Sequence, residues 1–271
     1  MSKEKSAYIQ QKIAEFKAKL QKPITEFETG GFRSSGEKNE NWIGRVFLCK
    51  PNEKQPVIDK NGKELYALAQ FYLPDLPFVP EQLKHVTWLT VFMGKEFPHI
   101  EAETATPKTD ENGEEYWELS TELGKNGDGW LIREYTTEDE LVEYEFPTQE
   151  YPKPFPLKPI YKERDFPFWD GGGIPDGIAD EISELDNYND KENENLLNYY
   201  DDIMSGEHSY SHKFGGYPSF CQSGIYFGDD FEFVFQISSD EKAQFNVIDS
   251  GSLMFARNSK TGEWGLYYDF Y

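Results

Sequence analysis

His212 and the carboxylates downstream of it come nearest, in this chain, to a reaction centre. A histidine beside an aspartate can move a proton, and with a nearby serine it can activate a nucleophile. Ser209 and Ser211 adjoin His212, and Asp229, Asp230, Asp240 and Asp249 follow. A hydrolase or small-ligand enzyme built from them needs a deep pocket with His212 and Asp249 facing it. Several features weigh against that chemistry. A triad is assembled in space, so adjacency in sequence is poor evidence for one. Carboxylates are so abundant, at 50 of 271 residues, that no pair stands out. Asp249-Ser250-Gly251 reads as a turn, with the Asp oxygen capping backbone donors.

Other chemistries leave weaker traces. The four histidines, His85, His99, His208 and His212, show no Cys/His ligand spacing. His208 and His212 would share a face only on a helix, and Ser209-Tyr210-Ser211 favours a turn there. Gly171-Gly172-Gly173 and Gly215-Gly216 lack the Lys-Ser/Thr of a P-loop and the G-x-G-x-x-G spacing of a dinucleotide site. They read as tight turns. Cys49 and Cys221 lie far apart and read as two reduced thiols, with a single disulfide left open. No metal, no cofactor and no catalytic residue is expected. Tyr199-Tyr200, Tyr210 and Tyr267-Tyr268 fit a sugar site, a protein interface or ordinary sheet pairs.

The elements that would position these residues show a repeat. Ala69-Gln70-Phe71 and Phe235-Gln236-Ile237 each sit in an apolar β-type run. Each is followed about twenty residues later by a second such run, Trp88–Phe92 and Ser252–Ala256. With a period of two, Phe231, Phe233, Phe235 and Ile237 share one face. Gln236 then opposes them, as Gln70 opposes Ala67, Ala69 and Phe71. Such glutamines would bond backbone across a pseudo-twofold seam. The spacing of Tyr8, Ile9, Ile13, Phe16 and Leu20 predicts a helix over Ser6–Gln21, ended by Pro23. Asn41–Cys49 is expected to be a single strand, with Trp42, Val46 and Phe47 as its apolar residues. Hairpin apices are expected at Asn112-Gly113 and Thr261-Gly262, with another turn at Gly127–Gly129. Ile178–Met204 reads as helical, broken at Asp186–Asp190. Tyr151–Phe168 holds five prolines and reads as a connector. One domain over 1–271 follows: a helix at 1–22, a first half over about 23–150, a Pro-rich connector at 151–170 and a second half over about 171–271. The class is α+β, with mainly antiparallel sheets in two similar halves, an internal duplication, and acidic insertions.

Charge narrows the partners. Lys plus Arg is 27 and Asp plus Glu is 50, a net charge of −23. Phosphate backbones and anionic membranes would repel such a chain. Residues 101–150 hold sixteen acidic and three basic side chains, whereas residues 1–50 hold six and ten. Either the acidity keeps the chain soluble or it docks a basic protein. Glu138, Asp139, Glu140, Asp180, Glu181 and Glu184 are the expected docking charges. The N-terminus has no apolar h-region and no run approaches a membrane span, so a cytoplasmic location is expected.

His212-Lys-Phe-Gly-Gly-Tyr-Pro-Ser-Phe-Cys-Gln222, then Phe233-Val-Phe-Gln-Ile237, then Asp249-Ser-Gly-Ser-Leu-Met-Phe255, resembles the YwqG family, a bacterial domain of unknown function. The resemblance covers about 60 residues here and extends loosely to Gly30-Gly31, Ala69-Gln70-Phe71 and Pro74–Pro77. It implies a duplicated α+β fold and no established catalytic residues. It also implies kinship with immunity proteins found beside secreted toxins. The expected function is therefore an immunity-type binding protein that neutralises a basic toxin. The alternatives are a hydrolase or ligand-binding enzyme near His212, and a stress or scaffold protein without a dedicated partner.

Overall fold

A computed structural model describes residues 3–95, 105–120, 125–186 and 196–271. Helix α1 (Lys3–Leu20) buries Ile9, Ile13, Phe16 and Leu20, whose spacing puts them on one stripe. Tyr8, expected in that stripe, is exposed. The helix stops before Pro23, which lies in β1 (Lys22–Thr29). There follow β2 (Asn41–Ile43), β3 (Leu48–Cys49), β4 (Val57–Ile58), β5 (Glu64–Tyr72), β6 (Trp88–Gly94), β7 (Ala105–Thr109), β8 (Glu115–Leu119), β9 (Trp130–Tyr135), β10 (Val142–Glu143) and β11 (Phe155–Asp165). Helix α2 (Asp176–Asp186) and a π-helical turn at Tyr199–Met204 lead to β12 (Lys213–Gly215), β13 (Phe231–Ser238), β14 (Ser252–Asn258) and β15 (Trp264–Asp269). Both acidic segments thus hold regular elements. The expected helix break begins where α2 ends, and most of it lies outside the described residues.

The main sheet is antiparallel, in the order β15-β14-β13-β12-β1-β11-β2-β5-β6-β9, with β4 beside β5. Two further pairs, β3–β10 and the β7–β8 hairpin, stand apart. The hairpin turns at Asn112-Gly113, and β14 returns to β15 at Thr261-Gly262, as the turn signals predict. The fold is mostly antiparallel sheet with few helices.

The Pro-rich connector is the main departure from expectation: its core is β11, the longest strand, in the middle of the sheet. Gly30 donates to the Pro156 carbonyl, so even-numbered residues of β11 turn their backbone groups toward β1. Pro156 therefore faces β1 just beyond its end at Thr29. Pro159 faces the β2 side, where β2 pairs only with Phe155–Leu157. Each missing N–H falls where the neighbouring strand has run out.

Bulges also correct the strict alternation expected for the two glutamine strands. The β5–β6 register slips between Ala67 and Ala69, and the β13–β14 register slips between Phe233 and Phe235. The extra residues, Leu68 and Val234, each lie two before the glutamine. Phe235 and Ile237 consequently join Leu68, Ala69, Phe71 and Val234 in the principal core, while Phe231 and Phe233 pack elsewhere around Met254. Ala67 falls in a separate cluster with Phe92 and Phe146.

The principal core draws on both wings of the sheet. Phe235 stacks on Phe255 at 4.4 Å and on Phe214 at 4.9 Å, and Phe71 meets Phe214 edge-on at 5.0 Å. Trp130 of β9 touches Phe255 of β14 at 5.8 Å, so the two wings curl toward each other. Glu134 of β9 clasps them. It accepts from Arg257 Nε at 2.9 Å, Arg257 Nη2 at 3.2 Å and Trp264 Nε1 at 2.6 Å. Glu134→Ala is expected to destabilise the fold by about 2–3 kcal/mol, because charge-assisted bonds at a partly buried site are lost together. Urea denaturation measures this; a loss under about 0.5 kcal/mol would show the clasp to be ordinary surface pairing.

Candidate functional site

The motif around His212 builds a buried polar cluster where β1, β11, β12 and β13 meet. Lys213 and Asp165 are both fully buried, with Nζ 2.9 Å from Oδ2. Lys213 also donates to the Ser209 carbonyl at 2.6 Å. Asp165 accepts from Ser209 N at 2.7 Å and Tyr217 N at 2.8 Å. Burial pushes the Lys213 ammonium pKa down from its ordinary value, and the Asp165 carboxylate works against that shift. Two glycines allow close approach here, Gly216 to the pair and Gly215 to Phe78. A Cβ on Gly216 (φ +68°) would lie 2.2 Å from Asp165 Oδ2, and one on Gly215 (φ +80°) would lie 2.4 Å from the Phe78 ring. Gly216 thus lets the backbone close around a carboxylate, and Gly215 lets it close on the Phe78 ring.

His208 and His212 are both buried here, each bound to its surroundings. His208 Nδ1 lies 2.7 Å from the Phe166 carbonyl, which only accepts, so the neutral ring carries its proton on Nδ1. Its Nε2 is 2.9 Å from Ser219 Oγ. Burial, then the Lys213 charge, holds the His208 pKa down at about 4. Asp165 Oδ1 lies 3.8 Å from Nδ1, but a ring neutral at pH 7 makes no ion pair with it. His212 Nδ1 accepts from Ser238 N at 3.0 Å, which leaves the proton on Nε2. Nε2 stands 3.3 Å from Asp240 Oδ2, out of line for a hydrogen bond and without another partner. Burial alone would raise the Asp240 pKa, but His212, the Thr29 hydroxyl and Ala243 N–H outweigh it and hold the carboxyl well below its usual range.

A cleft of about 640 Å³ opens beside His212, lined by Glu28, Gly31, Lys158, Ser211, Asp240 and Lys242 among others. Asp249 is exposed and absent from its lining. The expected pairing of His212 with Asp249 is therefore not assembled in this cleft. The turn at Asp249–Gly251 forms as expected, but Asn246 caps it, accepting from Ser250 N at 2.9 Å. Neither histidine offers a free lone pair to a substrate. Burial raises the thiol pKa of Cys49, and it pushes that of Cys221 up to about 11. Both cysteines are free thiols.

The glutamines bond backbone, but each within its own wing and not across a seam. Gln70 Oε1 accepts from Phe47 N at 3.0 Å and Leu48 N at 3.2 Å. Gln236 Oε1 accepts from Ser219 N at 3.1 Å, and its Nε2 donates to the Ser211 carbonyl at 3.1 Å.

The six expected docking charges fall in two places. Glu138, Asp139 and Glu140 follow β9. Asp139 pairs with Lys50 at 2.7 Å and accepts from Thr136 N at 2.8 Å, which fixes that turn. Asp180, Glu181 and Glu184 lie on α2, where Glu181 pairs with Lys12 of α1 at 2.8 Å. Glu138, Glu140, Asp180 and Glu184 are exposed and make no ion pair among the described residues. Lys213 lies in the motif only as a spacer residue that the sequence does not single out, and no local signal marks Asp165 or Thr29.

Among the described residues no group of three or more His, Cys, Asp or Glu could hold a metal ion, and no helix is long and apolar enough to cross a membrane. Fold and site together define a curled antiparallel-sheet domain with a buried polar cluster around Asp165, His208, His212 and Lys213. The chain belongs to the family described as domain of unknown function DUF1963, whose sequence profile matches residues 44–260. No curated protein matches the chain.

Proposed function

We propose that the protein is a YwqG-like, non-enzymatic binding protein, an immunity-type protein that neutralises a basic bacterial toxin domain by direct capture. One observation carries the reading. Each acidic element has one carboxylate tied to a lysine of the body, Asp139 to Lys50 and Glu181 to Lys12, while its neighbours stay exposed and make no ion pair among the described residues. Charges held on anchored elements can steer a cationic partner without first being ordered.

The reading includes an internal duplication, and matching registers support it. Trp42 pairs with Gln70 as Lys213 pairs with Gln236, and Ile43 pairs with Ala69 as Phe214 pairs with Phe235. Asn41 Oδ1 accepts from Tyr72 N at 2.7 Å where His212 Nδ1 accepts from Ser238 N at 3.0 Å. The bulges at Leu68 and Val234 occupy the same place in each wing.

The test is co-expression with the product of the adjacent gene, followed by size-exclusion chromatography. A one-to-one complex is expected, with an association rate that falls steeply between about 50 and about 500 mM salt. Combining Glu138→Gln, Glu140→Gln, Asp180→Asn and Glu184→Gln should slow association about tenfold or more. A complex indifferent to salt and to these changes removes the charge-steering account. No complex at all favours a protein without a dedicated partner.

A further inference from the structure

We propose that the groove between the β7–β8 hairpin, the 221–226 loop and β15 binds a neutral carbohydrate. The groove encloses about 600 Å³, a size suited to a small ligand. Its walls carry Trp117, Tyr267, Tyr268 and Tyr271, with Gln222 and Ser223 between them.

The groove is preformed, because all three walls are tied together. Tyr226 N donates to the Trp117 carbonyl at 2.8 Å, and Leu119 N donates to the Tyr226 carbonyl at 2.8 Å. Asp269 Oδ2 accepts from Cys221 N at 2.7 Å and Gln222 N at 2.8 Å, fixing the loop on β15. Phe220 supports Tyr267 from beneath at 5.9 Å. Trp117 is 49% exposed and Tyr271 is 66% exposed. Among the described residues the Trp117 ring has no stacking partner and its Nε1 no acceptor. The Gln222 amide and Ser223 hydroxyl are exposed and likewise uncommitted.

Among the described residues, the side chains lining the groove present no free charge, on a chain whose net charge is −23. Asp269, their one carboxylate, is spent on backbone donors, Phe270 N included. Burial pushes the Tyr267, Tyr268 and Tyr271 phenols up, so they stay neutral. Aromatic faces suit the C–H face of a sugar ring. An amide and a hydroxyl, each able to donate and accept, match a pair of adjacent sugar hydroxyls. A proline-rich strand would also lie on aromatic rings, but it offers acceptors alone and would leave half of this hydrogen-bonding capacity unused.

The test is titration of the whole chain with cellotriose, maltotriose and chitotriose, read at the Trp117 indole N–H by ¹H–¹⁵N NMR. At least one sugar is expected to give a saturable shift with a dissociation constant near about 1 mM. Trp117→Ala should weaken binding about tenfold, followed by intrinsic fluorescence of the other tryptophans or by calorimetry. Gln222→Ala, at an exposed position that leaves the fold intact, should weaken it about fivefold. The proposal is overturned if none of the three sugars moves the Trp117 resonance, if neither substitution changes affinity, or if a hexaproline peptide saturates the groove and the sugars do not. The acidic elements take no part in this assay, so its outcome is independent of toxin capture.

Discussion

Asp165→Asn is expected to destabilise the protein by about 3–5 kcal/mol, the usual cost of leaving one member of a buried ion pair alone. The change keeps the shape of the side chain but removes its charge. Lys213 would then hold an ammonium in a fully buried site with neutral carbonyl oxygens, that of Ser209 among them, in place of its carboxylate partner. The carbonyl oxygen of the substituted amide could still accept from Ser209 N or Tyr217 N, so the backbone loses less than the lysine does. That difference sets the second half of the expectation. Asp165→Asn combined with Lys213→Met should be more stable than Asp165→Asn alone, because the stranded charge has gone. Urea denaturation of the single and double variants measures both effects. A single-variant loss below about 1 kcal/mol, or a double variant no better than the single, would show that the pair does not organise the cluster.

The same cluster shows where the fold could be read from the chain and where it could not. Helix α1 was legible because its apolar residues recur at helical spacing and a proline stands just beyond its end. The hairpins at Asn112-Gly113 and Thr261-Gly262 were legible because each loop closes through a residue with positive φ, and glycine supplies it: φ is +86° at Gly113 and +75° at Gly262. The bulges at Leu68 and Val234 were not. A bulge changes which residues share a face without changing composition, and both fall inside unbroken apolar runs. Strand β11 was hidden because proline is a rule against central strands, and the exception depends on where β1 and β2 end. Asp165 was hidden for another reason: it is one carboxylate among 50, and only three-dimensional closure sets it against Lys213. Glu134 was equally silent, since its partners lie more than 120 residues away. The motif around His212 was visible from the start. Its chemistry was not, because glycines that admit a carboxylate look like glycines that cradle a ligand.

Acid should expose the remaining member of the cluster. His208 is expected to have its neutral form enforced, with a folded pKa of about 4 against about 6.5 in the unfolded chain. Between those values the unfolded chain binds one proton more than the native one. Stability therefore rises with pH across this window: the contribution is complete above about pH 6.5 and is lost as pH falls toward about 4. The full span is worth on the order of 3 kcal/mol. The hydrogen bonds themselves would tolerate the extra proton. Nε2–H could donate to Ser219 Oγ, whose own proton would then turn to the Ser209 carbonyl at 2.9 Å. What opposes protonation is burial and the nearby Lys213 charge, so the penalty is electrostatic and survives small side-chain adjustments. Asp240 acts in the same direction but lower down, since its depressed pKa matters only where carboxyls titrate. The two are separable by measuring denaturation between about pH 5 and pH 6.5, where carboxylates contribute little. There His208→Gln should flatten the slope by up to about 1.4 kcal/mol per pH unit while retaining an N–H for the Phe166 carbonyl. An unchanged slope in the variant would mean that His208 takes up its proton in the native protein as readily as in the unfolded chain.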